Sequence, residues 1–192
     1  MRRSERGRGR GSSTVAAVVL LATSALPLAA QNPETLMGNT TAGTSTEVEC
    51  GDDYVLVGVK GRAGMWINNM FLVCARVTGG TLGDVKTLGY NSQRIGGLAS
   101  GTFTKDYSVR CPPGQVAAGV MVYRGSYINQ VGLYCRVWTA GGFGSGNLVG
   151  PAGGSGGTFD ARTCVERTRP VTALHAREGW YIDALGIRCR VP

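Results

Sequence analysis

The residues best suited to chemistry form a short pattern near the C-terminus, in which a glycine precedes an aspartate by four positions. Gly179 and Asp183 enclose Trp180 and Tyr181. A carboxylate such as Asp183 can accept hydrogen bonds from two adjacent hydroxyl groups, and its charge strengthens those bonds. An aromatic ring offers an apolar face for stacking, and a glycine lets backbone N–H groups approach a ligand that a Cβ would obstruct. These groups together suit a sugar, which presents adjacent hydroxyls and an apolar C–H face.

The same pattern occurs twice more upstream, with asparagine in place of the aspartate. The two further copies comprise Gly64, Trp66 and Asn68, and Gly125, Tyr127 and Asn129. Asparagine still donates and accepts hydrogen bonds but lacks the charge, so we rank the upstream copies as secondary binding sites. An alternative applies to all three copies: the Asn or Asp side chain ties its own backbone in a turn and the aromatic residues lie in the core.

Each copy lies inside a frame of two cysteines, and the second cysteine follows the Asn or Asp by six residues. Six cysteines permit 15 pairings, from which the repeat selects one. The selected disulfides are Cys50–Cys74, Cys111–Cys135 and Cys164–Cys189. If each unit is an antiparallel hairpin, its cysteines oppose one another across the ladder within disulfide range. The sequence contains no close cysteine pair such as C-x2-C, which is the spacing typical of zinc sites, so we expect no metal or other cofactor.

The elements that position these residues are predicted to be strands. β-branched and aromatic residues alternate between glycine turns, and no segment shows a convincing 3.6-residue apolar period. Three repeats cover approximately residues 36–77, 96–138 and 150–192, and each has room for about four strands. We therefore predict an all-β chain whose three pseudo-symmetric sheets form a prism; a β-trefoil is the threefold alternative, with shorter units.

The first 30 residues have the layout of a secretory signal peptide. A basic start precedes the apolar run Thr14 to Leu26, and Leu28-Ala29-Ala30 provides a small-residue cleavage site. The leader carries five Arg and one Glu, so residues 31–192 retain +4 of the formal charge of +8. These charges are mixed in sign rather than arranged in a basic stripe, which argues against a nucleic-acid partner. We expect a secreted, extracellular protein with one domain over residues 31–192 and no membrane insertion.

The C-terminal fifth of the chain resembles jacalin-related lectins. The run Gly150-Pro151-Ala152-Gly153-Gly154-Ser155-Gly156-Gly157-Thr158-Phe159-Asp160 resembles their glycine-rich opening, and Arg177 to Gly186 resembles their sugar-binding GxxxD loop and the following strand. The resemblance implies a β-prism of three Greek-key sheets and metal-independent binding of glycans or glycoproteins. Gly153 and Gly154 would add a backbone wall, either to the Asp183 loop or to a neighbouring loop. In that family the glycine-rich stretch usually comes first and GxxxD last, whereas the best copies of both are close together here.

The cysteine-framed repeats also resemble the vitelline membrane outer layer protein, a β-prism with disulfides. That resemblance implies an alternative function as a non-catalytic extracellular coat protein without glycan binding. An exposed Trp180 beside Asp183 would favour the lectin, and a buried Trp180 would favour the coat protein. An enzyme is not expected, because the sequence lacks a Ser/His/Asp signature, a carboxylate pair and a phosphate-binding loop. A homo-oligomer would give weak single sites useful avidity.

Overall fold

The computed structural model describes residues 35–88, 94–97, 104–166 and 168–192, and every regular element among them is a strand. The all-β prediction is therefore confirmed. The predicted leader and the Gly101 to Phe103 segment lie outside the described residues. In chain order the strands are β1 (Met37–Gly38), β2 (Thr44–Glu49), β3 (Tyr54–Ala63), β4 (Ile67–Thr78), β5 (Thr81–Thr87), β6 (Arg94–Gly96), β7 (Lys105–Arg110), β8 (Gln115–Arg124), β9 (Ile128–Thr139), β10 (Gly142–Gly153), β11 (Thr158–Thr163), β12 (Val171–Glu178) and β13 (Ile182–Cys189).

The strands form three antiparallel sheets, each built on one of the three repeated hairpins. The first sheet has the order β5-β4-β3-β7 with β6 also on β4, the second has β10-β9-β8-β11, and the third has β1-β13-β12-β2. In the first two sheets the fourth main strand returns to lie beside the first, which is the Greek-key arrangement. The predicted prism of three Greek-key sheets is confirmed.

The third sheet is completed by the N-terminal strands. β1 pairs with β13 and β2 pairs with β12, so the first and last described strands share a sheet. In the other two sheets, strands that follow the hairpin cover its edges, whereas the last hairpin is covered by β1 and β2. The glycine-rich run from Gly150 to Asp160 accordingly belongs to β10 and β11 of the second sheet. The repeats read along the sequence therefore do not coincide with the sheets.

One central core is formed by the inward faces of all three sheets. Alternate apolar residues of the hairpin strands point into it. Its largest fully buried side chains include Leu56, Met70, Leu133, Leu174 and Leu185. The intervening residues of β3, β4 and β8 are also buried, in a second cluster that includes Val55, Val73, Val116 and Phe143.

All three predicted disulfides are present, with Cα–Cα distances of 5.5 to 5.8 Å. Their geometry differs from the prediction of cysteines opposed across a hairpin, because Cys74 lies opposite Leu56 and Cys135 opposite Ala117 in the ladders. The first cysteine of each pair instead ends the outer strand of the preceding sheet. For example, the Cys50 N–H donates to the Thr172 carbonyl in the third sheet, while its sulfur bonds Cys74 in the first.

The other two disulfides repeat this relationship. Cys111 follows β7 of the first sheet and bonds Cys135 in the second, and Cys164 follows β11 of the second sheet and bonds Cys189 in the third. The three bonds therefore connect the three sheets in a ring. Each disulfide therefore joins two cysteines of the same repeat but crosslinks two different sheets.

Candidate functional site

The three hairpin tips converge at one end of the prism around a cluster of aromatic rings. Trp66, Tyr127 and Tyr181 occupy the same position in the three copies, and each ring contacts the other two at centroid distances of 5.0 to 5.1 Å. All three are half-buried. The cluster brings the three copies of the glycine pattern together around a common centre.

The tips share one backbone geometry. The N–H groups of Gly64, Gly125 and Gly179 each donate to the carbonyl two residues later, at 2.9 to 3.0 Å. This tight turn exposes the residue between the glycine and the aromatic ring. In the third copy that residue is Trp180, which is 78% exposed.

Asp183 lines an open depression of about 480 Å³ next to Trp180. The depression unites residues of all three tips with the loop before β2: Gly43, Asn68, Tyr127, Gly179, Trp180, Tyr181 and Asp183. Within the described residues no hydrogen-bond donor is assigned to the Asp183 carboxylate. Burial raises the pKa of this carboxyl above its ordinary value, and the positive charge of Arg177 partly opposes that shift. Asp183 as a whole is only 5% exposed, so its carboxylate lies largely buried in the wall of the depression, with its Oδ2 facing Gly43.

Gly43 forms the wall facing this carboxylate, and the sequence interpretation did not identify it. A Cβ on Gly43 would lie 2.4 Å from Oδ2 of Asp183, and the residue has a φ of +69°. Only a glycine allows this approach in this conformation. The Gly43-Thr44 pair recurs as Gly157-Thr158 in the second sheet, a signal that could have revealed the loop of residues 39–43.

Gly153 and Gly154 lie between the second and first tips rather than beside Asp183. The Gly154 N–H donates to the Asn129 carbonyl at 2.8 Å, and a Cβ on Gly154 would meet the Met65 carbonyl at 2.0 Å. Of the two positions that the resemblance left open, the structure therefore places these glycines at a neighbouring loop. The reason is that β10 pairs with β9 of the second hairpin.

A glycine with positive φ approaches the Asn or Asp of each copy from its own sheet. A Cβ on Gly38, Gly96 or Gly153 would lie 2.2 to 2.9 Å from the carbonyl oxygen of Asp183, Asn68 or Asn129, respectively. The φ values of these glycines are +120°, +89° and +121°. Each copy therefore has its own glycine loop, and the partner of Asp183 comes from the N-terminal part of the domain.

The upstream asparagines are engaged in their own loops. The Gly64 N–H donates to Asn68 Oδ1 at 3.1 Å, and Asn129 Nδ2 donates to the Ser155 carbonyl at 2.8 Å. Both amides thus take part in turn or loop hydrogen bonds, as the alternative interpretation expects. Asn68 nevertheless lines the depression beside Asp183.

The part of the chain that the structure describes contains no group of three or more His, Cys, Asp or Glu side chains placed to hold a metal ion. None of its residues belongs to a helix with the length and hydrophobicity needed to cross a bilayer.

The fold matches solved lectin structures over most of the chain. Malaysian banana lectin has a TM-score of 0.55 at 19% identity, covering 82% of this chain and 96% of the lectin. A mannose-binding jacalin-related lectin from Ananas comosus has a TM-score of 0.54 at 18% identity, covering 82% and 96%. Artocarpin in complex with mannotriose has a TM-score of 0.57 at 14% identity, covering 81% and 95%.

No protein-family model matches the chain, and no curated protein sequence matches it. The resemblance is therefore one of tertiary structure, at identities that establish the fold. Three Greek-key sheets, converging hairpin tips and near-complete coverage of these lectins show that the chain has the β-prism fold of jacalin-related lectins.

Proposed function

We propose that this protein is a secreted lectin that binds glycans reversibly, without a metal ion and without catalysis, through the depression at Asp183. The observation that carries the proposal is the uncommitted Asp183 carboxylate between Gly43 and the exposed Trp180. No side-chain hydrogen bond to this carboxylate is found in the described part of the chain, so it retains hydrogen-bonding capacity for a sugar hydroxyl that enters the depression.

The surrounding groups match the other requirements of a sugar. Trp180 is free to lie against an apolar C–H face because 78% of it is exposed. A Cβ on Gly179 would meet no atom within 4 Å, so the glycine leaves open space above the depression. The exposed Trp180 is also the feature that we expected of a lectin and not of a coat protein.

The solved relatives guide the choice of ligand. One is described as mannose binding and another is complexed with mannotriose. We therefore infer that mannose-containing oligosaccharides are the first ligands to test. A shallow site with a millimolar dissociation constant contributes only about 4 kcal/mol, so glycoproteins that engage several sites, or a homo-oligomer, would supply the avidity.

The second and third candidate sites, around Asn129 and Asn68, are proposed as weaker sites. Gly125, Tyr127 and Asn129, with Gly153 and Gly154 behind them, reproduce the third copy without its charge. Gly64, Trp66 and Asn68 do the same in the first sheet. Asn68 Oδ1 and Asn129 Nδ2 already have hydrogen bonds with which a ligand would have to compete, whereas Asn129 Oδ1 is buried and has no partner among the described residues.

The deciding experiment combines a glycan array with calorimetric titration of mannotriose into the disulfide-bonded protein. We expect binding that persists in EDTA and falls at least tenfold in Asp183→Ala, because the variant loses a charge-assisted acceptor. Asp106→Asn is the matched control, since Asp106 is 90% exposed and lies outside the depression. A silent array would favour the coat-protein alternative, which predicts no glycan binding, whereas unchanged binding in Asp183→Ala would remove Asp183 from the proposed site.

A further inference from the structure

Arg177 forms a two-point contact with the loop that faces Asp183. Its Nε donates to the Ala42 carbonyl and its Nη2 donates to the Gly43 carbonyl, both at 2.5 Å. A planar guanidinium suits two neighbouring acceptors, whereas the ammonium of a lysine has no such fixed fork. The backbone of residues 42–43 is therefore held by a side chain from the adjacent strand β12.

The same side chain acts on the other wall of the depression. Arg177 is the charged group whose field acts on the Asp183 carboxylate, in opposition to burial. The remaining side chains of the depression, those of Asn68, Tyr127, Trp180 and Tyr181, include no carboxylate and no basic group. Glu178, the next residue, is occupied by the Thr46 hydroxyl and by the Gly96 N–H of the first sheet.

We propose that Arg177 is the positioning residue of the Asp183 site: its guanidinium holds the Ala42–Gly43 backbone against the carboxylate and presents a positive charge to it. The proposal rests on the proposed function only for its effect on sugar affinity. Its effects on the loop and on Asp183 are properties of the free protein. Arg177 contacts the wall of the site and acts through Gly43 and Asp183.

The chain contains a matched position for a control. Arg62 precedes Gly64 by two residues, as Arg177 precedes Gly179. Arg62 forms an ion pair with Asp106 at 3.5 Å, and its side chain is 41% exposed. Arg62→Gln therefore removes an arginine at the equivalent place in another sheet.

The test compares Arg177→Gln, Arg177→Lys and Arg62→Gln with the wild type by two measurements. The first is the NMR titration of the Asp183 carboxyl carbon without sugar. We expect it to move to higher pH in Arg177→Gln, to stay near the wild-type position in Arg177→Lys, which retains the charge, and to stay unchanged in Arg62→Gln. The second is mannotriose affinity, which we expect to fall roughly tenfold in Arg177→Lys, because its ammonium lacks the fork.

Two results would overturn the proposal: an Asp183 titration in Arg177→Gln that matches the wild type, or wild-type affinity in Arg177→Lys. Arg177→Lys keeps the test decisive if Arg177→Gln fails to fold, and a thermal melt identifies that case. Failure of the proposed function has a different signature. The wild type would then bind no glycan while the Asp183 titration still moved in Arg177→Gln, which supports the electrostatic role of Arg177 and refutes the lectin.

Discussion

Gly43 and Asp183, 140 positions apart in the chain, face one another so closely that a Cβ on Gly43 would lie 2.4 Å from Oδ2 of Asp183. The contact exists because β2, which follows Gly43, pairs with β12, which leads into the third hairpin tip. Residues from the two ends of the domain thus form opposite walls of one depression.

Gly43→Ala is expected to abolish detectable glycan binding. The methyl group would displace the carboxylate or the loop, and the φ of +69° disfavours any side chain. Titration calorimetry measures the loss. Gly114→Ala is the matched control, because Gly114 has a φ of +75° and a Cβ there would meet nothing within 4 Å.

The control separates the contact from the backbone strain. Both variants should lose roughly 1 kcal/mol of stability from the unfavourable φ. Gly43→Ala should lose more, because its Cβ would also meet the Glu178 backbone carbonyl at 2.6 Å, and only Gly43→Ala should lose binding. Equal affinity of the two variants would show that Gly43 is not a wall of the site.

Glycan binding should weaken on acidification at a higher pH than an ordinary aspartate would dictate. The ionised Asp183 is the hydrogen-bond acceptor, and burial raises its pKa. Affinity should therefore be constant near neutrality and fall as the pH drops through the raised pKa. A pH series of mannotriose titrations tests this, and binding that persists below the ordinary range of aspartate would contradict it.

Asp183→Asn should change how the stability of the protein depends on pH. Because the folded-state pKa of Asp183 is raised above the unfolded value, the unfolded state binds fewer protons between the two pKa values, and this group's contribution to stability falls as the pH rises. The amide does not titrate, so Asp183→Asn should be more stable than the wild type at pH 7 and should lose that advantage at acidic pH. Thermal melts at the two pH values measure it. A variant less stable than the wild type at pH 7 would refute this sign.

Trp180→Ala should mainly weaken glycan binding, whereas Trp66→Ala should mainly lower the stability of the fold. Trp180 is 78% exposed, so its removal should change stability by less than about 0.5 kcal/mol while weakening glycan binding. Trp66 contacts both Tyr127 and Tyr181, so its removal should cost about 2–3 kcal/mol. Chemical denaturation and calorimetry distinguish the two. A large loss of stability in Trp180→Ala would indicate a structural role for that side chain.

Removing the Cys164–Cys189 bond by a double Ser substitution should cost roughly 3.5 kcal/mol, from the entropy of closing a loop of 25 residues. Removing Cys50–Cys74 should cost more, because those sulfurs are buried and the serines would leave polar groups in the core. Urea unfolding of the two variants compares them. A larger loss for the Cys164–Cys189 variant would contradict this order.

The sequence by itself determined the local features of this protein. Alternating apolar residues specified strands, equal spacing of glycine, aromatic residue and Asn or Asp specified three similar tips, and the cysteine frames specified the three pairings. These features depend on residues close together along the chain, where period and spacing translate directly into geometry. Asp183 and Trp180 could be identified as candidate site residues from this spacing alone.

Only the tertiary structure decided which glycine loop faces which tip. Gly153 and Gly154 are nearer to Asp183 in sequence, yet Gly43 is its wall, because the two edges of the last hairpin are covered by β1 and β2. The strand before each hairpin pairs in the preceding sheet, so each disulfide within a repeat links two different sheets. Which strands pair at the edges of the hairpins depends on unpaired backbone groups meeting partners far away in the sequence. Local residue spacing does not predict those partners.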